Sequence, residues 1–122
     1  MPTVSVIIHT YNNEKFIAET VASVLNQTYK DYEIIVVDDG SVDGTRDVLM
    51  PYMQKIRYHY KENGGIASAK NAGIGLSQAE FVAFLDHDDL WVPDKLQLQM
   101  EHFNENPQIG LVYAKYTSFR DG

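Results

Sequence analysis

Short apolar runs recur along this chain between stretches of helical period, and each run ends in a polar corner. Residues 4–8 (Val-Ser-Val-Ile-Ile) give way to His9-Thr10-Tyr11-Asn12-Asn13, and residues 33–37 (Glu-Ile-Ile-Val-Val) stop at Asp38-Asp39-Gly40-Ser41. Residues 81–85 are apolar throughout and end in Asp86-His87-Asp88-Asp89. Runs this short and this apolar read as strands buried on both faces, the habit of a parallel sheet covered by helices. Residues 56–60 alternate like a more exposed strand before Asn63-Gly64-Gly65, and residues 109–113 form a fifth run.

Between the runs the period changes. Phe16, Ile17, Val21, Val24 and Leu25 recur at helical spacing up to Asn26-Gln27, and residues 43–50 form a short helix with acids in its first turn, ended by Pro51. A third helix is built on Ile66, Ala69, Gly73 and Ile74. A fourth opens at Pro93, carries Leu96, Met100 and Phe103 on one face and ends at Asn106-Pro107. Alternation of this kind predicts one α/β domain over residues 1–122: three layers, α/β/α, around a mostly parallel sheet with right-handed crossovers.

Sheets of that class bind ligands at the carboxyl ends of their strands. The four predicted ends carry Thr10-Tyr11-Asn12, Asp38 to Ser41, Asn63-Gly64-Gly65 and Asp86 to Asp89, whereas the opposite ends carry plain charge such as Lys30-Asp31 and Gln78-Ala79-Glu80. One rim is therefore expected to hold nearly all the chemistry. In an extended chain, residues two apart point the same way and lie roughly 6 to 7 Å apart. Asp86 and Asp88 can then turn their oxygens to one point while His87 faces away, an arrangement suited to Mg²⁺ or Mn²⁺. An acidic turn that caps the next helix is the plainer reading of the same residues, and Asp89 before Trp91-Val92-Pro93 fits that helix-entry role.

Composition narrows the ligand. With 17 acids against 10 bases the net charge is -7, a poor match for nucleic acid. There is no cysteine, so disulfide and thiol chemistry are excluded. No apolar run approaches the roughly 20 residues that span a bilayer, and Met1-Pro2-Thr3 lacks a basic signal-peptide start, so a cytoplasmic location is expected. Neither G-x-G-x-x-G nor G-x-x-x-x-G-K-[ST] is present, which leaves dinucleotide and P-loop binding unsupported. A nucleoside diphosphate fits the rim: its base and ribose would meet Thr10, Tyr11 and Asp39. Its phosphates would need the metal at Asp88, because phosphate and carboxylate about 4 Å apart repel by roughly 4 kcal/mol at an effective dielectric of about 20.

Residues 4–12, 37–45, 63–71 and 85–89 resemble, in order and spacing, the family 2 glycosyltransferases of the GT-A fold. The resemblance implies a sugar transferase with a nucleotide-activated donor, usually UDP-linked, that inverts the anomeric carbon and uses Mn²⁺ or Mg²⁺. It implies Thr10, Tyr11 and Asp39 as base-binding contacts and Asp86-His87-Asp88 as the D-x-D motif, with Asp88 the direct metal ligand and Asp86 nearer the ribose. Lys70 stands where many members carry arginine beside the residue matched by Asn71, so its nucleotide contact would be that of a point charge. His9, often proline in the family, reads as a loop residue. The family's general base comes later in the domain, beyond Gly122, so this chain is expected to be the donor-binding part, incomplete at its C-terminus. The acceptor is expected to be a glycan or lipid-linked hydroxyl, with the full-length protein at the inner face of the membrane.

Three rivals belong to other classes. A receiver-type phospho-acceptor domain also pairs acids after a buried strand, but it should begin at that strand, and Lys115 comes one strand early. A D-x-D-x-T phosphatase would need threonine where Leu90 stands. A binding scaffold that has lost its chemistry fits poorly with the presence of Asp39, Asp86 and Asp88 together.

Overall fold

The alternation resolves into a layered sheet in a computed structural model that describes residues 2–86 and 90–105. The chain runs β1 (Val4–Thr10), α1 (Ile17–Leu25), β2 (Tyr32–Asp38), α2 (Thr45–Leu49) and a 3-10 turn over Met50–Tyr52. It continues through β3 (Arg57–Tyr60), α3 (Ile66–Leu76), β4 (Phe81–Asp86) and α4 (Lys95–Glu105). The predicted strand at residues 109–113, and His87, Asp88 and Asp89, lie outside the described residues.

Strand order is β3-β2-β1-β4, and every described pairing is parallel. Thr10 pairs with Asp38, Asp38 with Tyr60, and His9 with Asp86, so all four carboxyl ends share one edge. From β1 the chain builds outward through β2 and β3, then crosses back to place β4 on the other side. The reversal of strand order falls between β1 and β4, the switch point at which open parallel sheets leave a crevice.

Side chains of β1 alternate between two cores. Val4, Val6 and Ile8 join Ile34, Val36, Ala83 and Leu85 beneath Ile17, Val21 and Val24 of α1, Leu49 of α2, and Leu96 and Met100 of α4. Ile7, Ile35 and Val37 face the other way, under Ala69, with Ala72, Leu76, Val82 and Phe84 packed around them. Each fully buried Ile or Val contributes about 1.5–3 kcal/mol.

The second face departs from the expected pattern. Ala69 and Gly73 are buried as predicted, but Ile66 and Ile74 are 61% and 48% exposed. A Cβ at Gly73 would stand 2.4 Å from Cγ2 of Ile7, so the helix approaches the sheet through its smallest residues. With that seat taken by Ala69 and Gly73, Ile66 and Ile74 stay outside the core. Phe16 is likewise half exposed, because α1 starts one residue later and buries Ile17, Thr20, Val21 and Val24.

Gln27, which the sequence offers only as a helix end, is fully buried. Its amide nitrogen donates to the carbonyls of Val92 (2.7 Å) and Ser23 (3.2 Å), and its oxygen accepts from the Leu96 N–H (2.9 Å). Thr28 N–H adds a bond to the Pro93 carbonyl at 2.8 Å. These contacts fasten the segment that follows the acidic strand end to α1.

Candidate functional site

The carboxyl edge of the sheet is a set of loops knitted to one another. Asn12, the one described non-glycine residue with positive φ (49°), donates its N–H to Ser41 Oγ and accepts from the Val42 N–H, both at 2.8 Å. Asn13 N–H reaches Thr45 Oγ1 at 3.0 Å, and Gly44 N–H reaches Glu14 at 3.2 Å. The loop after β1 is thus locked against the loop after β2.

The acid pair divides into two roles. Asp38 is fully buried and accepts from the Tyr58 hydroxyl and from the Ser41 N–H (2.8 Å), which makes it part of the frame. Burial, the bond to Asp38 and the Asp38 charge raise the Tyr58 phenol above its ordinary 10.0. Asp39 is the acid on the rim. Its N–H bonds the Thr10 carbonyl at 2.8 Å. Its Oδ1 accepts from Lys61 Nζ and Gly64 N–H, and its Oδ2 from Gly65 N–H, each at 2.9 Å. Burial pushes the Asp39 carboxyl up, but the bonds from Lys61, Gly64 and Gly65 and the Lys61 charge outweigh it and hold the group below its ordinary 3.8.

Glycine is required twice here. Gly40 sits at φ +89°, and a Cβ on it would stand 2.9 Å from the Asn63 nitrogen. Gly65 sits at φ +93°, which aims its N–H at Asp39 as it opens α3. Asn63 closes the join by donating its side-chain amide to the Asp39 carbonyl at 3.0 Å.

The residues singled out from sequence fall as follows. Thr10 (buried), Tyr11 (45% exposed) and Asp39 share the rim, and Asp86 ends β4 opposite His9 on the same edge. Lys70 lies elsewhere in detail: its ammonium stands 5.1 Å from the centre of the Phe84 ring. It lines a cavity of about 390 Å³ with Ala67, Asn71, Ile74 and Phe84, on the α3 side of β4. Asp88 lies outside the described residues. Among the described residues no three His, Cys, Asp or Glu side chains gather as a metal site. Sequence reasoning missed Lys61; its signal was a cation immediately after β3, at the carboxyl end where the acids stand.

A parallel sheet with this order, its loops gathered at the switch point, is that of the GT-A glycosyltransferases. The chain matches the family model "Glycosyl transferase family 2" over residues 5–122 and belongs to that family. It is 45% identical over 117 residues to an uncharacterized glycosyltransferase of Rickettsia typhi; the match covers 94% of this chain and 36% of that protein. Among solved structures it is similar to TarS 1–349 of S. aureus in complex with UDP-GlcNAc, with TM-score 0.78, 32% identity, and coverage of 86% of this chain and 32% of the other. It is also similar to the mannosyltransferase PcManGT of Pyrobaculum calidifontis in complex with GDP-Man and Mn²⁺, with TM-score 0.74, 29% identity, and coverage of 84% and 32%. The chain thus spans about a third of the length of these proteins. No helix among the described residues is long and apolar enough to cross a membrane.

Proposed function

We propose that this chain is the donor-binding part of an inverting glycosyltransferase that takes a sugar from a nucleoside diphosphate, UDP in the first instance, and passes it to an acceptor hydroxyl. The observation that carries the reading is the gathering of Thr10, Tyr11, Asp39 and the end of β4 along one edge of a glycosyltransferase-family sheet, similar to that of a protein solved in complex with UDP-GlcNAc. Thr10, Tyr11 and Asp39 would meet the base, and Asp86 the ribose. Lys70, beside Phe84, would meet the nucleotide as a point charge.

Carboxylate oxygens suit Mg²⁺ or Mn²⁺, and β4 ends at Asp86 on the edge that Thr10 and Asp38 share. Asp88 and Asp86 would hold the cation. When bound, such an ion neutralises charge on the diphosphate leaving group.

Calorimetry of UDP, GDP, CDP and ADP with and without Mn²⁺, repeated on Asp88→Asn, tests the assignment. Saturable UDP binding that strengthens with Mn²⁺, and loses at least about tenfold in affinity in the variant, is the expected result. Binding indifferent to both metal and mutation would refute the metal-linked donor site.

A further inference from the structure

We infer that Lys61 is a built-in competitor for the nucleobase, its ammonium holding the Asp39 oxygen that an imide N–H must take when the donor binds. The inference rests on the donor-site reading above and deepens it.

A carboxylate offers about four lone-pair positions. On Asp39 three are filled, by Lys61, Gly64 and Gly65. The Asp39 side chain is only 7% exposed, so a planar base cannot reach it unless a neighbour moves. The two glycine donors are backbone groups fixed by the loop join: Asn63 bonds the Asp39 carbonyl, Gly40 leaves no room beside the Asn63 nitrogen, and Gly65 is held at φ +93°. Lys61 differs in kind. Its side chain is 18% exposed, sits on a flexible four-carbon stem, and makes its other described bond to the neighbouring Glu62 carbonyl at 2.7 Å. Released, a strongly hydrated ammonium finds water at once. Of the three partners, the lysine leaves at the smallest cost.

The consequence has a definite sign. With Oδ1 already shared by Lys61 and Gly64, a base whose imide N–H takes Oδ1 must first open the Lys61–Asp39 ion pair, so Lys61 weakens that binding. A base without that donor cannot replace the lost bond and leaves the pair closed.

Calorimetry of the 122-residue chain and its Lys61→Met variant, with UDP and with N3-methyl-UDP, reads this directly. The variant is expected to bind UDP about fivefold more tightly, the scale of one partly exposed ion pair. N3-methyl-UDP should bind weakly and equally to both proteins. Unchanged or weaker UDP affinity in Lys61→Met overturns the inference while leaving the donor site standing. Absence of UDP binding by the wild-type chain removes both.

Amine labelling of the wild-type chain followed by mass spectrometry gives a second reading independent of the variant's folding. UDP should speed labelling of Lys61, the reverse of ordinary ligand protection; slowed or unchanged labelling counts against displacement.

Discussion

Glu33 and Asp39 sit at opposite ends of the same strand pair and look alike by most measures. Their side chains are 12% and 7% exposed, and each forms an ion pair, with Arg57 at 3.1 Å and Lys61 at 2.9 Å. Each also accepts two further hydrogen bonds, Glu33 from Ser5 Oγ and Gln78 N–H, Asp39 from Gly64 and Gly65. In both cases burial raises the pKa and the bonds more than reverse it. What differs is the surroundings. Around Glu33, Ser5 bonds Ser77 at 2.6 Å and Arg57 bonds the Leu76 carbonyl at 2.6 Å, so the acid ties β1, β2, β3 and the end of α3 into a closed knot. Around Asp39 the donors are loop groups beside positive-φ glycines, at the edge where the strand order reverses. Burial and a lowered pKa therefore do not by themselves mark a ligand site.

The sharpest way to break this comparison is to remove each acid. Asp39→Ala is expected to reduce nucleotide affinity by about a hundredfold, in line with roughly 3 kcal/mol for a bond to a charged group, while Glu33→Ala shifts it by less than about twofold. Calorimetry that found equal losses would make the two ends equivalent. The next effect falls on the helix joining them, since Gly65 at the start of α3 serves Asp39 and Leu76 at its end serves Arg57. Gly73→Val forces a side chain against Ile7 and should cost about 1–3 kcal/mol in urea unfolding.

Gln27→Ala should cost about 2 kcal/mol, since it strands the buried Leu96 N–H without an acceptor. Thermal melts showing no loss would mean that the amide is not the anchor beneath the rim. The smallest expected effect is Glu33→Gln, about 1 kcal/mol, because Arg57 is itself 42% exposed and solvent screens the pair. Acid dependence gives the same contrast. Folding depresses both carboxyl pKa values, so the stability they contribute is present above their ordinary 4.5 and 3.8 and is lost as pH falls through the folded values. Urea melts between about pH 5 and pH 2 should therefore show a fall in stability that is shallower in Glu33→Gln.

Much of this was legible beforehand. The apolar runs gave β1, β2 and β4 their places, and polar corners after each run pointed to Thr10, Tyr11, Asp39 and Asp86 as neighbours on one edge. The opposite edge was misjudged: Glu33 reads as the ordinary start of a strand, and nothing local announces that Ser5, Arg57 and Gln78 converge on it from elsewhere in the chain. Ile66 and Ile74 were misjudged for a related reason. Helical spacing shows which residues share a face, but how closely α3 can approach depends on Gly73 meeting Ile7, a residue 66 positions earlier.

Periodicity and turn chemistry are local, set by backbone geometry over a few residues, and these by themselves determined that the chain would be a helix-covered parallel sheet with its acids at strand ends. Which strands became neighbours, that Asp38 would be sealed under Tyr58 while Asp39 met Lys61, and that Gln27 would hold the segment after β4, were decided only by the tertiary structure. Those contacts join residues 20 to 69 positions apart. Their free energy exists only once the whole sheet has closed around them.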